Sequence, residues 1–142
     1  MLECLRIERV GYDHPHASAL TELAQEFYVA VYGERDVTPV SSDYFHPGPV
    51  PPVGRRPAGL KRMFVHPDHR GRGLARAMLT AVETDAAAAG ADWLILETGA
   101  PQVAAATLYR ASGYVDVPPF GYYIRREPGV LNLGKPLVPP AG

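Results

Sequence analysis

A proline- and glycine-rich stretch near the middle of the chain sets the strongest limit on the fold. Residues 46–59, HPGPVPPVGRRPAG, contain five prolines and three glycines in fourteen positions. Proline has no backbone N–H to donate to a strand ladder, so this composition excludes a central strand. We therefore predict a Pro/Gly-rich loop or an extended tether over residues 46–59, with ordered elements on both sides of it.

The composition is that of one folded domain. The chain has 142 residues, of which 46% are hydrophobic and 20% are charged, close to the globular average. We predict a single domain over residues 1–142. A formal net charge of −1 gives no support from bulk charge for a nucleic-acid or membrane partner.

Cysteine content and hydrophobic runs bear on the compartment. The single cysteine, Cys4, excludes an intramolecular disulfide framework and suits a reducing environment. Charged residues interrupt the first ten positions, and no apolar run reaches membrane-spanning length. We expect a cytoplasmic protein with no membrane anchor.

Hydrophobic periodicity predicts three helices. A helical spacing of apolar residues begins at Pro15 and ends at Gly33. An alanine-rich helix is predicted over residues 73–89, and a third helix begins near Pro101 and ends at Gly113. The predicted buried face of the alanine-rich helix consists of Leu74, Met78, Ala81 and Val82.

Five segments have the composition of strands. They are residues 2–7, 60–65, 93–97, 114–117 and 130–133. The run WLILE at 93–97 is nearly continuous in apolar residues, which is typical of a strand covered on both faces, at the centre of a sheet. The interleaving of strands with helices predicts an α/β (α+β) protein.

One segment carries the features of an anion site. Residues 70–75, RGRGLA, lie between a predicted strand and the alanine-rich helix. A helix start offers unpaired backbone N–H groups, and glycines let an anion approach them. Arg70, Arg72 and Arg76 add local positive charge. The sequence contains neither GxxxxGK[ST] nor GxGxxG, which argues against ATP and NAD. The alternative is an ordinary strand-to-helix turn with solvated arginines.

Two motifs resemble one family. The pattern R-x-x-G-x-[GA], supplied by Arg70, Gly73 and Ala75, resembles the acetyl-CoA pyrophosphate loop of the GNAT superfamily of N-acetyltransferases. Residues 96–114 resemble its second signature, A-x-x-L-Y-x-x-x-G-[FY], through Ala105, Leu108, Tyr109, Gly113 and Tyr114. The likeness covers residues 2–45 and 60–137. It implies a GNAT-like central mixed sheet flanked by helices, with acetyl-CoA (coenzyme A) as the cofactor.

One departure from the family pattern concerns the sheet. Members of the family have two further strands, the second and third, before the strand that corresponds to residues 60–65, and here only residues 46–59 are available. Strands 2 and 3 are therefore predicted to be missing or reduced. An exposed sheet edge of that kind invites pairing or strand exchange with a second subunit, so we expect a homodimer.

The resemblance also implies roles for individual residues. Tyr109 matches the tyrosine that protonates the coenzyme A sulfur; its alternative role is a buried packing aromatic. The backbone N–H of Phe64 or Val65 would bond the thioester carbonyl or pantetheine. Glu97 is a candidate base for the incoming ammonium or, equally, a salt-bridge or capping partner. Glu26 is a second candidate base.

The remaining predictions for the site concern cofactor binding and metal binding. The resemblance assigns cofactor binding to Phe64, Val65, Arg70, Gly71, Arg72, Gly73, Leu74, Ala75, Ala105, Leu108 and Tyr109. His66 and His69 have metal-ligand spacing, but no third ligand accompanies them, so no metal is expected.

The function that follows is an N-acetyltransferase acting on a small-molecule or peptide amine. Direct attack of a primary amine in a ternary complex with acetyl-CoA needs no acyl-enzyme. The alternative is a catalytically weak or inactive acetyl-CoA-binding sensor or interaction module, for which the missing strands are the motivation. RNA binding by the RGRG stretch has less support, because interleaved stacking aromatics are lacking.

Overall fold

The computed structural model describes residues 5–11, 13–36, 53–120 and 129–139. In these ranges the helices are α1 (Pro15–Tyr32), α2 (Leu74–Ala88) and α3 (Val103–Ala111). The strands are β1 (Pro57–Leu60), β2 (Trp93–Gly99), β3 (Val115–Asp116) and β4 (Val130–Pro136). A short 3-10 helix, Pro67–His69, precedes α2. No helix in the described ranges combines the length and apolar character needed to cross a membrane.

The chain divides into two compact units. The first unit comprises Met1–Val37 and Arg62–Ala81, and the second comprises Thr38–Lys61 and Val82–Gly142. Helix α2 therefore begins in the first unit and ends in the second, while the whole sheet belongs to the second. The single domain over residues 1–142 stays a prediction.

The second unit contains a mixed four-stranded sheet in the order β1-β2-β4-β3. β1 runs parallel to β2, whereas β4 is antiparallel to both β2 and β3. Leu94, Ile95 and Leu96 of β2 and Leu133 of β4 are each at most 1% exposed. The predicted mixed sheet with WLILE at its centre is therefore confirmed, and the described sheet has fewer strands than the family pattern.

The structure corrects the predicted loop at its C-terminal end. Pro57, Ala58 and Gly59 begin β1, although residues 46–59 were expected to contain no strand. β1 is an edge strand of the described sheet and pairs with β2 alone. Proline is tolerated at the first residue of an edge strand, where its missing N–H is not required. The part of the loop at residues 46–52 lies outside the described residues.

The strand predicted over residues 60–65 is wrong in its bounds, because β1 ends at Leu60. Arg62 has a φ of 58°, a left-handed conformation that is uncommon for a residue with a side chain. Its guanidinium donates to Asp36 twice, from Nε to Oδ2 at 3.1 Å and from Nη2 to the carbonyl at 3.1 Å. The buried Gln25 amide in turn exchanges two hydrogen bonds with the Asp36 backbone. This anchored side chain offsets the backbone strain.

The first predicted strand is not present in the described part of its segment. Residues 5–10 belong to no helix or strand, and residues 1–4 lie outside the described residues. Leu5 and Ile7 remain 38% and 44% exposed. The alternation of polar and apolar residues there is imperfect, and a strand also needs a neighbouring ladder to satisfy its backbone.

The helix limits follow from local signals. His14 caps α1, because its Nδ1 accepts from the His16 N–H at 3.1 Å. Gly33 ends α1 with a φ of 82°, and its N–H donates to the Val29 carbonyl at 2.9 Å. The prediction for the buried face of α2 is wrong at Met78, which is 40% exposed while Leu79 is 1% exposed. An alanine-rich helix offers small apolar residues on several faces, so its periodicity does not single out one stripe.

Asp92 joins the starts of β1 and β2. Its carboxylate accepts from the Arg55 N–H at 2.7 Å and from the Arg56 N–H at 3.0 Å. Its own N–H donates to the Arg56 carbonyl at 3.1 Å. The Arg55 hydrogen bond is the main cause that lowers the pKa of the Asp92 carboxyl, and the Arg56 N–H lowers it further against an opposing effect of burial. This lowered pKa couples stability to pH.

We predict that Asp92→Asn lowers the free energy of unfolding at neutral pH by about 1 kcal/mol, because a neutral amide accepts these N–H bonds less strongly. The folded-state pKa lies below the unfolded value of about 3.9, so the carboxylate stabilises the fold above that pH. The contribution is lost as the pH falls through the folded-state pKa. Urea unfolding of both proteins between pH 7 and about pH 2 measures this. A difference that stays constant over that range contradicts the assignment.

Candidate functional site

The loop before α2 is open to an approaching ligand. Gly71 and Gly73 have φ angles of 79° and 75°, which glycine adopts without steric cost. A Cβ built on either glycine meets nothing within 4 Å. The backbone between the 3-10 helix and α2 can therefore be reached from both positions.

The same loop presents a run of backbone donors. No described residue accepts a hydrogen bond from the N–H groups of residues 71–76, and the first bond of α2 runs from the Ala77 N–H to the Gly73 carbonyl at 3.1 Å. Unpaired N–H groups at a helix start carry partial positive charge and favour anions. Arg72 and Arg76 are exposed beside them. This donor set suits a diphosphate better than any neutral ligand.

The side chain of Arg70 is fixed by contacts within the first unit. Its Nε donates to the Val65 carbonyl at 3.1 Å, and its guanidinium carbon lies 5.3 Å from the Phe64 ring centroid and 5.8 Å from that of Phe27. Five N–H donors are present on a guanidinium, and the Val65 bond uses one. Phe27 is a contributor that sequence reasoning missed, since no local pattern connects it with Arg70.

The extended segment before the loop also has accessible donors. The N–H groups of Phe64 and Val65 donate to no described residue, and both side chains are half-buried. The predicted role of these N–H groups toward a thioester carbonyl is compatible with this arrangement. It stays a prediction.

An apolar cavity of about 330 Å³ lies within the first unit. Four predicted cofactor-binding residues line it, namely Phe64, Val65, Leu74 and Ala75. This volume is at the low end of the range for small-ligand pockets, about 300–1,000 Å³. The first unit thus brings the end of the extended segment and the start of α2 to one cavity.

The two histidines of the loop have structural contacts. The His66 Nδ1 accepts from the Asp68 N–H at 3.1 Å, and the rings of His66 and His69 lie 5.4 Å apart. The described part of the chain contains no group of three or more His, Cys, Asp or Glu residues that could hold a metal ion. His66 therefore acts as the cap of the 3-10 helix.

The second unit holds the remaining predicted site residues. Tyr109 on α3 is 6% exposed, and its ring meets that of Tyr114 edge-on with 5.7 Å between centroids. Ala105 and Leu108 are half-buried on the same helix. α3 ends where the Tyr114 N–H donates to the Tyr109 carbonyl at 3.0 Å. Within the second signature, Tyr114 therefore packs against Tyr109.

Glu97 stands where the pairing of β2 changes. The parallel ladder with β1 ends at the pair Leu60 and Leu96, whereas the antiparallel ladder with β4 continues to Gly99. Glu97 is the first residue beyond the parallel ladder and is half-buried. The other candidate base, Glu26, is exposed on α1. Both assignments stay predictions.

The described sheet and helices define a protein of the mixed α/β class, and its glycine loop offers backbone donors that suit an anionic ligand. A family model described as "Acetyltransferase (GNAT) domain" matches residues 23–116. The chain belongs to this family. Membership of the GNAT family implies acetyl-CoA as the acetyl donor, and the loop at residues 70–75 fits its diphosphate.

Curated relatives support the same family. Over 78 residues, 55% of this chain, the sequence is 45% identical to an IAA acetyltransferase of Azospirillum brasilense and covers 50% of that protein. Over 97 residues, 68% of this chain, it is 35% identical to N-acetyltransferase 8B of Rattus norvegicus and covers 42% of that protein. The chain spans about half or less of the length of these relatives.

A solved structure shows the same fold. The crystal structure of the putative acyl-CoA N-acyltransferase from Klebsiella pneumoniae superposes with a TM-score of 0.72 at 22% identity. The match covers 94% of this chain and 97% of that one. At this identity the likeness bears on the fold alone.

We predict that Gly73→Ala weakens coenzyme A binding about tenfold, because an L-residue costs roughly 1 kcal/mol or more at this φ and the backbone rotates its N–H groups to relieve the strain. Isothermal titration calorimetry with coenzyme A measures the change. The control is Gly33→Ala, at a φ of 82° with the same open surroundings but at the end of α1. We expect Gly33→Ala to lower the melting temperature similarly and to leave affinity unchanged. Equal affinities for both variants and the parent would contradict the loop assignment.

Proposed function

We propose that the protein is an N-acetyltransferase that transfers the acetyl group of acetyl-CoA to a primary amine by direct attack in a ternary complex. The observation that carries the proposal is the run of N–H donors at residues 71–76, with its two open glycines, in a chain of the GNAT family. The acceptor is the amine of a small molecule or a peptide.

The residues proposed to bind the diphosphate of the cofactor all lie in the first unit. The backbone N–H groups from Gly71 through Ala75 would hold the diphosphate, and Arg70 and Arg72 would add charge-assisted hydrogen bonds to it. Backbone donors need no side-chain ordering when the ligand arrives. Leu74 and Ala75 also line the apolar cavity, which suits the less polar part of a bound cofactor.

The thioester of acetyl-CoA supplies an activated acyl group whose carbonyl must be polarised. The N–H groups of Phe64 and Val65 are the proposed donors for that carbonyl. Ala105 and Leu108 present half-buried apolar surface on α3 for cofactor contact.

Two proton transfers are assigned to the second unit. Tyr109 would donate its hydroxyl proton to the sulfur as the carbon–sulfur bond of the tetrahedral intermediate breaks, so that coenzyme A leaves as the thiol and the phenolate is reprotonated afterwards. Tyr109 is 6% exposed. Glu97 would accept the proton of the incoming ammonium, directly or through water, so that a neutral amine attacks.

A second candidate function is acetyl-CoA binding without turnover. The observation that favours it is the reduced sheet, in which β1 has four residues and forms the edge of the described strands. In the family pattern, the two strands that the described residues lack wall part of the acceptor site. Binding of the cofactor would then serve sensing or a subunit contact.

We predict that Tyr109→Phe lowers kcat about 10²-fold or more and leaves coenzyme A affinity within about twofold, because the ring is kept and the proton is lost. A thiol-release assay with a panel of amines measures turnover, and calorimetry measures affinity. Thermal stabilisation by acetyl-CoA without turnover on any amine would support the binding module instead. Unchanged kcat in Tyr109→Phe would remove Tyr109 from the chemistry.

We also propose a homodimer and a cytoplasmic location. The edge position of β1 among the described strands supports the dimer, since an edge strand can pair with a strand from a second copy. The lone Cys4 supports a reducing compartment.

We predict a particle of twice the chain mass by light scattering at micromolar concentration. A monomeric mass would contradict the dimer.

A further inference from the structure

Three side chains in the second unit, those of Tyr114, Glu83 and Lys135, form a hydrogen-bonded cluster, here called the Glu83 cluster. The Tyr114 hydroxyl donates to Glu83 Oε2 at 2.7 Å, and the Lys135 ammonium donates to Glu83 Oε1 at 2.9 Å. Lys135 also lies 5.8 Å from the centroid of the Tyr114 ring. One phenol and one ammonium therefore occupy the two oxygens of one carboxylate.

The cluster is largely shielded from solvent. Tyr114 is 2% exposed, and the side chains of Glu83 and Lys135 are 16% and 30% exposed. Its two charges compensate each other, so little net charge is left in a partly desolvated place. Charge-assisted hydrogen bonds in such surroundings are short and directional. The position of the Tyr114 ring is therefore specified by its hydroxyl as well as by packing.

Tyr114 reaches Tyr109 by two separate contacts. Its N–H donates to the Tyr109 carbonyl at 3.0 Å, and its ring meets the Tyr109 ring edge-on at 5.7 Å and 62°. Edge-to-face aromatic pairs prefer a defined orientation. Fixing the Tyr114 ring consequently restricts the ring of Tyr109.

The hydroxyl stays a donor over the working pH range. Burial is the main cause that raises the pKa of Tyr114 well above its usual range, and the hydrogen bond to Glu83 raises it further. A phenylalanine would keep the ring and its packing but lose the 2.7 Å hydrogen bond to Glu83. The hydroxyl therefore contributes a contact that ring packing alone does not supply.

We propose that Tyr114 and Glu83 are positioning residues that hold the Tyr109 ring in the orientation needed for proton transfer, with Lys135 fixing the Glu83 carboxylate. This inference rests on the proposed function, in which the Tyr109 hydroxyl carries the proton. Misplacement of a reacting group by about 1 Å lowers rates by as much as 10²-fold, so a small rotation of the ring is enough to matter.

The test compares Tyr114→Phe with the parent protein. We expect kcat to fall about five- to tenfold with the KM for acetyl-CoA unchanged, because the ring remains and only its fixation is lost. In the free protein, NMR of labelled tyrosine should show faster flipping of the Tyr109 ring. Glu83→Ala should reproduce both changes, while Glu83→Gln, which retains an acceptor oxygen, should restore most of kcat.

A matched control is available beside the cluster. Asp116→Asn breaks the exposed ion pair with Arg110, the residue that follows Tyr109, where two hydrogen bonds of 3.1 Å join the side chains. It should change neither kcat nor the ring-flip rate of Tyr109.

The outcomes separate the two proposals. A lower melting temperature for Tyr114→Phe with unchanged kcat and unchanged ring flipping would overturn the positioning role and leave the proposed function intact. Unchanged kcat in Tyr109→Phe would overturn the proposed role of Tyr109 and the positioning role together. Additive losses in the double variant Tyr109→Phe/Tyr114→Phe would also overturn positioning, because a residue that acts through Tyr109 has no further effect once the Tyr109 hydroxyl is gone.

Discussion

The unequal pairing of strand β2 is the constraint on which the sheet of the second unit depends. β2 pairs with β4 over seven residues and with β1 over only four. Leu94, Ile95 and Leu96 lie within the doubly paired part, where β1 and β4 flank β2 and the side chains on both faces are buried. Beyond this part, Glu97 pairs with β4 alone among the described strands.

In the first unit, the main constraint is the backbone conformation at Arg62. The left-handed Arg62, tied to Asp36, ends regular strand geometry just before Phe64 and Val65. The N–H groups of Phe64 and Val65 are not used in a strand ladder, and those of residues 71–76 precede or begin α2, where no intrahelical partner exists. The proposed binding of a diphosphate by main-chain donors would depend on backbone conformation more than on any single side chain. Gly71 and Gly73 are therefore the positions at which the proposal is best tested.

Local signals were enough to predict much of this molecule from its sequence. α1 begins at Pro15 and ends before Gly33 as predicted, because a cap and a C-terminal glycine act within one helical turn. The positions of the two glycines directly before α2 could also be predicted, because glycines and helix are adjacent in the sequence, whereas their role toward an anion stays a prediction. The predicted strand over residues 60–65 was wrong in its bounds because these depend on a contact between residues far apart in the sequence. The early end of β1 requires Asp36 to hold Arg62 across 26 positions, and no periodicity encodes such a contact. The exposed Met78 was misjudged because alanines leave the helix face undetermined.

The Glu83 cluster shows why a distant polar contact can matter more for orientation than for stability. Removing two charges from water offsets most of their attraction, so a partly buried ion pair contributes little net free energy to folding. A phenylalanine would satisfy the same packing as the Tyr114 ring. The hydroxyl therefore contributes orientation. Its 2.7 Å hydrogen bond to Glu83 fixes the position of the Tyr114 ring, and the edge-on contact restricts the orientation of the Tyr109 ring. By contrast, the side chains of Arg110 and Asp116 are 46% and 70% exposed, so their attraction is screened by solvent. The shielded pair of Glu83 and Lys135 is the one whose carboxylate binds the Tyr114 hydroxyl and thereby constrains the ring beside Tyr109.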